Sequence, residues 1–331
     1  MNLISPNYRG IPAQLQSAFN AALNYLSAQL APSTLRAYRS DFAVFVRWCE
    51  RHGLDTKPAQ PDTLVLFLAE QAQSGLAAIT LERRLASINY VHRLHALPSP
   101  TDDARVRAAL SGIRRIHGTA PRRQKTPLLD AQIIKMMAHC PATLRGLRDQ
   151  TILALGFAGA FRRSELASLR LEQLKFSGDD VICTLPRSKT DQDGKGMDKP
   201  ILNGARLQPV SKLKAWLKRA GIDDGYVFRR VDWGDAALEA PLSSAWIARV
   251  VQHYAAAIGL DPKQLGAHSL RSGFITSCGE HEVTLYKIME VTGQKDPRTV
   301  LRYLRRPNLF KNHAGAGFLY KYDLLHFYFN A

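Results

Sequence analysis

Tyr303 stands in "VTGQKDPRTVLRYLRRP", residues 291–307, together with Lys295, Arg298, Arg302, Arg305 and Arg306. A phenol in so dense a positive cluster has two readings. It packs its ring beneath a solvated basic helix, or it is a nucleophile for a phosphate. A free phenol has a pKa of about 10, so at neutral pH it needs a cationic surround or a base before it attacks. Three more stretches carry residue types suited to that chemistry. Arg162 leads Ser164, Glu165 and Leu166 in "GAFRRSELASL"; Lys189 lies in "RSKTD"; His268 and Arg271 sit in "GAHSLRSGF", spaced to share one helix face. Singly, each is an ordinary feature: an intrahelical pair, a surface lysine, a structural His-x-x-Arg.

The elements that must position these residues are mostly helical. In "APSTLRAYRSDFAVFVRWCERHG" a Pro-Ser-Thr start signal precedes Leu35, Tyr38, Phe42, Phe45, Val46 and Trp48, and Gly53 ends the pattern. "PDTLVLFLAEQAQSG" and "AAITLERRLASINYVHRLHALP" read alike, the second with Ile79, Leu85, Ile88, Val91 and Leu94 inward and Arg83, Arg84 and Arg93 outward. "TDDARVRAALSGIRRIHG" adds a basic helix. Residues 1–117 therefore form an all-helical first domain. "GTAPRRQKTP", residues 118–127, has the composition of an exposed basic linker.

From 128 to 331 helices continue around one β insert. The run Val181 to Leu185 between Ser-Gly-Asp-Asp and Asp-Gly turn signals predicts a small antiparallel sheet of two or three strands, with helices resuming from Pro209 to the end. Asp296 and Pro297 predict an N-cap and first turn, with Val300, Leu301 and Leu304 buried and Tyr303 at the stripe's edge. The fold class is mainly α, in two domains. No internal repeat is visible.

Lys plus Arg number 45 against 28 Asp plus Glu, a formal net charge of +17 spread through both halves, which points to a polyanionic partner held against folded surfaces. Cys49, Cys140, Cys183 and Cys278 are scattered, with no C-x-x-C pair and no signal-like N-terminus, which suggests a reduced cytoplasmic setting. His92 and His95 have no further ligand near them in sequence and read as surface or interface residues, so no metal site is expected, and the lack of a long apolar run gives no membrane span.

In combination and in this order, Arg162, Lys189 on a hairpin, His268-x-x-Arg271 and Tyr303 on a basic helix resemble the tyrosine recombinase, or phage integrase, family. "STLRAYRSDFAVFVRWC" and "AAITLERRLASINYVHRLHALPSP" likewise look like the core-binding domain of its Cre-type members. The resemblance implies a site-specific recombinase without cofactor or metal. Arg162 and Arg271 would grip the scissile phosphate, and Tyr303 would attack it to give a 3′-phosphotyrosine and a free 5′-hydroxyl. His268 would assist proton movement, and Lys189 would protonate the leaving oxygen, with Lys195 and Lys199 as competitors for that role. Glu165 would anchor the arginine or histidine side chains. Gln294 occupies a position where members usually carry histidine or tryptophan; its amide donates a hydrogen bond but is never cationic.

The partner implied is double-stranded DNA, bound by a homotetramer on two sites, with any accessory proteins unidentified. Arg83, Arg84, Arg114, Arg115, Arg122, Arg123, Lys125 and Arg302 would mostly touch phosphates. Two alternatives share these residues: a type IB topoisomerase-like relaxing enzyme, and a catalytically weak sequence-specific DNA-binding protein. The aromatic tail "FLYKYDLLHFYFNA", residues 318–331, either docks on its own domain or packs into a neighbouring protomer.

Overall fold

The computed structural model describes residues 12–119, 125–186, 196–304 and Leu319. The chain divides into two compact units, residues 1–123 and 124–331. Arg122, Arg123, Lys189, Lys195, Arg305, Arg306 and, apart from Leu319, the aromatic tail lie outside the described residues.

The first unit contains α1 (Gln16–Ala28), α2 (Pro32–His52), α3 (Pro61–Gln73), α4 (Ala78–Leu94) and α5 (Ala104–His117). Proline at the first turn starts α2 and α3, and Gly53 closes α2 in the left-handed region at φ 65°. Phe42, Phe45 and Trp48 of α2 meet Phe67 of α3 and Leu81 and Ile88 of α4 in one core.

Three residues of α4 differ from the sequence reading. Ile79 is exposed, because the helix turns Ala78, Leu81 and Leu85 inward instead. His92 is completely buried: its Nε2 accepts from the Ala59 N–H at 3.0 Å and its Nδ1 donates to the Ile88 carbonyl at 2.9 Å. It is an internal strut that joins α4 to the chain ahead of α3. Arg84 is mostly covered, stacked over the Phe67 ring and bonded to Gln71 Oε1. The buried Asp41 draws the Arg83 guanidinium into a two-bond pair of 2.6 and 3.1 Å, so the α4 arginines balance an internal carboxylate.

In the second unit, α6 (Asp130–Ala138), α7 (Leu144–Ala158) and α8 (Arg163–Ala167) precede a sheet of β1 (Leu174–Ser177), β2 (Asp180–Leu185) and β3 (Met197–Ile201), antiparallel in that order. After α9 (Pro209–Ala220) comes a hairpin of β4 (Arg229–Val231) and β5 (Ala237–Pro241). This hairpin corrects the expectation of uninterrupted helix after Pro209. Its strands are short and carry a register shift at Arg229/Val231, so neither leaves an alternating run long enough to read. Then follow α10 (Ser244–Ala257), α11 (Ala267–Glu280), α12 (Leu285–Thr292) and α13 (Pro297–Leu304).

Buried around most of its circumference, with the Arg148–Asp149 pair enclosed in its first half and an apolar second half, α7 runs through the middle of this unit. Against it lies α11, with Leu270 beside Gly156. At Gly273 a side chain would put its Cβ 1.8 Å from the Leu128 carbonyl oxygen. Glycine there lets α11 seat on the incoming chain, where Leu128 N–H donates to Ser269 at 3.0 Å. Thr126 N–H donates to Gln264 and Lys125 Nζ to the Lys263 carbonyl, so residues 125–127 belong to this unit's surface, although their composition matches a linker.

Candidate active site

Arg162 immediately precedes α8 in extended backbone. Glu165 reaches back to it twice: Oε2 accepts from the Arg162 backbone N–H at 2.9 Å and Oε1 from its guanidinium at 2.5 Å. The first bond satisfies a donor left over at the helix start, and the second holds the guanidinium in place. Glu165 is itself buried.

His268 and Arg271 both lie in the first turns of α11, but they face different surroundings. His268 is exposed and Arg271 is only 2% exposed. Arg271 donates to the Ala160 carbonyl at 2.7 Å and to the Thr292 carbonyl at 2.8 Å. Burial, then the neighbouring Arg162 charge, push its pKa down to about 10, and Glu165 and Tyr303 oppose the shift. It remains a cation at neutral pH.

Tyr303 is buried rather than at the edge of its helix. Val300, Ile275 and Ile288 form a small core around its ring where α11, α12 and α13 meet. Its hydroxyl lies 2.7 Å from His268 Nε2. The helix starts as expected, with Asp296 Oδ1 accepting from the Arg298 N–H at 3.0 Å. Arg298 also uses its side chain on Asp296, and Arg302 is exposed. Arg271, contributed by another helix, is electrostatically coupled to Tyr303. Gln294 sits just past the Gly293 cap of α12, and its Oε1 is enclosed with no hydrogen-bond partner among the described residues.

Of the three hairpin lysines, Lys199 alone is among the described residues. It points inward from β3 and is fully buried, its Nζ donating to the Gly159 carbonyl at 2.9 Å and the Val291 carbonyl at 2.6 Å. Burial presses its pKa down to about 7, with the charges of Arg271 and Arg162 adding to that and Glu165 working against it. Sequence reasoning missed this placement. The signal lies in "MDKPI": strand alternation puts Lys199 on one face with Met197 and Ile201.

Five of the predicted site residues, Arg162, Glu165, His268, Arg271 and Tyr303, therefore meet in one cluster of direct or electrostatic contacts. The predicted DNA-contacting residues are dispersed. Arg83 and Arg84 are engaged by Asp41 and Gln71, and Arg114 by Glu82 at 2.8 Å. Arg115 is exposed, and Lys125 is half-buried.

Residues 127–308 match the phage integrase family, and residues 20–96 match the phage integrase N-terminal SAM-like domain. The chain belongs to the phage integrase family. Among its relatives, the integrase/recombinase xerD homolog of Selenomonas ruminantium is 36% identical over 294 residues, covering 87% of this chain and 86% of that protein. The recombinase Cre of Escherichia phage P1 is 24% identical over 277 residues, covering 78% and 79%. The fold is similar to that of the Tn1549 transposon integrase in complex with transposon right end DNA, with a TM-score of 0.60 at 16% identity over 86% of this chain and 92% of that one. No described helix of this phage integrase family member is long and apolar enough to cross a membrane.

Proposed function

We propose that this tyrosine recombinase cuts and rejoins duplex DNA at a specific site, with Tyr303 as nucleophile. The observation that carries the assignment is the 2.7 Å contact between His268 Nε2 and the Tyr303 hydroxyl, beside the buried Arg271. Arg162 and Arg271 hold the non-bridging oxygens of the scissile phosphate and stabilise charge that builds there in the transition state. His268 takes the phenol proton as the Tyr303 oxygen bonds to phosphorus. The bond from phosphorus to the 5′-oxygen breaks, and that oxygen takes a proton from Lys189, with Lys195 as the remaining competitor. Glu165 positions Arg162, and Gln294 offers its amide N–H to a phosphate oxygen. The phosphotyrosyl link conserves the energy of the broken diester, so a second strand's 5′-hydroxyl reseals it without a nucleotide cofactor.

Both units contribute to gripping duplex DNA, and four copies assemble on two sites. The net charge of +17 supports duplex DNA as the partner, within a bacterial nucleoid or on a mobile element. Arg115, Arg122, Arg123, Lys125 and Arg302 contribute phosphate contacts.

The test is covalent capture on fragmented genomic DNA from the source organism, stopped with SDS, followed by a plasmid carrying two copies of any recovered site. Recombinant product supports the proposal. Relaxation with no recombinant product assigns the chain to the type IB topoisomerase reading. DNA binding with no adduct assigns it to the binding-only reading.

A further inference from the structure

Two helix ends converge behind the arginines. After α7 the chain turns at Gly159 and Ala160 before reaching Arg162, and α12 ends at Val291 and Thr292 before Gly293 leads to Gln294 and α13. The last carbonyls of a helix have no partner within it and form the negative end of its dipole. Here the last two carbonyls of α12 and those of Gly159 and Ala160, just past the end of α7, are shared between two buried side chains. Lys199 takes Gly159 and Val291, and Arg271 takes Ala160 and Thr292. Each cation spans the same two segments, one residue apart.

The turn after α7 is held in an unfavourable shape, whereas α12 closes in an ordinary glycine cap. Ala160 adopts φ 45°, a left-handed conformation that residues with a side chain rarely take, and Gly293 adopts φ 66°. Met197, two residues before Lys199 on the same strand face, packs where a Gly293 side chain would be. The β3 strand therefore braces the α12 end through both side chains.

We propose that Lys199 is a positioning residue: with Arg271 it staples the turn that carries Arg162 to the helix end that carries Gln294 and Tyr303, and so sets the distance between the phosphate-binding arginine and the nucleophile. This role separates Lys199 from the leaving-group acid. A fully buried Nζ that is committed to two carbonyls does not reach a DNA oxygen. The titratable groups coupled to it are Glu165 of α8, Arg162 ahead of α8, Arg271 of α11 and the Cys183 thiol of β2, which burial keeps protonated, and the Phe161 ring lies 5.3 Å from its Nζ.

The inference rests on the recombinase reading, and its test begins where that reading has succeeded, with a nicked duplex carrying the site recovered by covalent capture. If the wild-type chain forms no adduct, the reading itself has failed. Given an adduct, single-turnover cleavage is measured for wild type, Lys199→Met, Lys199→Gln and Lys199→Arg, below their unfolding midpoints. Misplacement of a reacting group by about 1 Å costs on the order of 10²-fold, so Lys199→Met should lose about 10- to 10²-fold in rate at saturating DNA with its half-saturation unchanged. Lys199→Arg, which keeps donors for both carbonyls, should recover most of the rate. A wild-type rate in Lys199→Met, or a loss confined to half-saturation, overturns the proposal. Should Lys199→Met fail to fold, Lys199→Gln is judged by the same two criteria.

Discussion

His268 Nε2 and the Tyr303 hydroxyl lie 2.7 Å apart although 35 residues separate them in sequence. The contact follows from packing α13 against α11 through Val300 and Ile275, which leaves one polar edge of the tyrosine directed at the start of α11. A base at that distance is within reach of the phenol proton. His268→Ala should therefore slow covalent adduct formation by about 10²–10⁴-fold, the usual worth of a placed proton acceptor, with little change in DNA affinity. Quench-flow cleavage of a nicked site checks this, and a rate within a factor of about two of wild type would remove His268 from the chemistry.

Among the described residues, Glu165 is the acidic side chain that acts on Arg162, Arg271 and Lys199 together. Its removal leaves buried positive charge without a counter-ion. Glu165→Gln preserves shape and deletes charge, and breaking such a pair should lower unfolding free energy by about 3–5 kcal/mol. Urea denaturation of the full chain measures it; an unchanged midpoint would show that the cluster is balanced by other means.

Gln294 contributes a neutral amide at the cap of α12. If that amide meets a phosphate oxygen, Gln294→Ala should reduce cleavage by about 10²-fold, as for loss of a single oxyanion donor. Gln294→His should match or exceed wild type. Equal rates for wild type and Gln294→Ala would mean that the side chain never meets the phosphate.

His92 accepts one hydrogen bond and donates another, so it must be neutral. Burial lowers its pKa, and the nearby His95 and Lys57 charges add to that, while the Ile88 carbonyl opposes it. Because the folded value lies below the unfolded 6.5, the unfolded state binds more protons as pH drops. The stability contributed by neutral His92 is complete above about pH 6.5 and is lost as pH falls below it. Urea unfolding of wild type and His92→Gln should show the gap between them narrowing from about pH 7.5 to 5. A constant gap contradicts this account.

The proposed site residues stood out because their order along the chain is specific, and the helices were legible because Phe42, Phe45 and Trp48, or Val300 and Leu304, repeat at helical spacing. What was hidden depended on partners distant in sequence. His92 reads as a polar surface residue until Ala59, 33 positions earlier, supplies its N–H. Arg84 reads as outward until Gln71 and Phe67 cover it. Lys199 reads as a hairpin lysine because the carbonyls that hold it belong to residues 40 and 92 positions away. Backbone carbonyls carry no sequence signature, so a cation recruited to helix ends is visible only in the fold. The β4 and β5 strands were too short for periodicity to announce them.

The most direct measurement is the site of covalent attachment. Adducts trapped with a nicked duplex would be digested with nuclease and protease, and the peptide bearing a nucleotide remnant identified by mass spectrometry. The expected result is a 3′-phosphonucleotide on the Tyr303 oxygen in wild type, and no adduct in Tyr303→Phe that still shifts the same DNA on a native gel. Attachment at any other residue, or an adduct that persists in Tyr303→Phe, would contradict it.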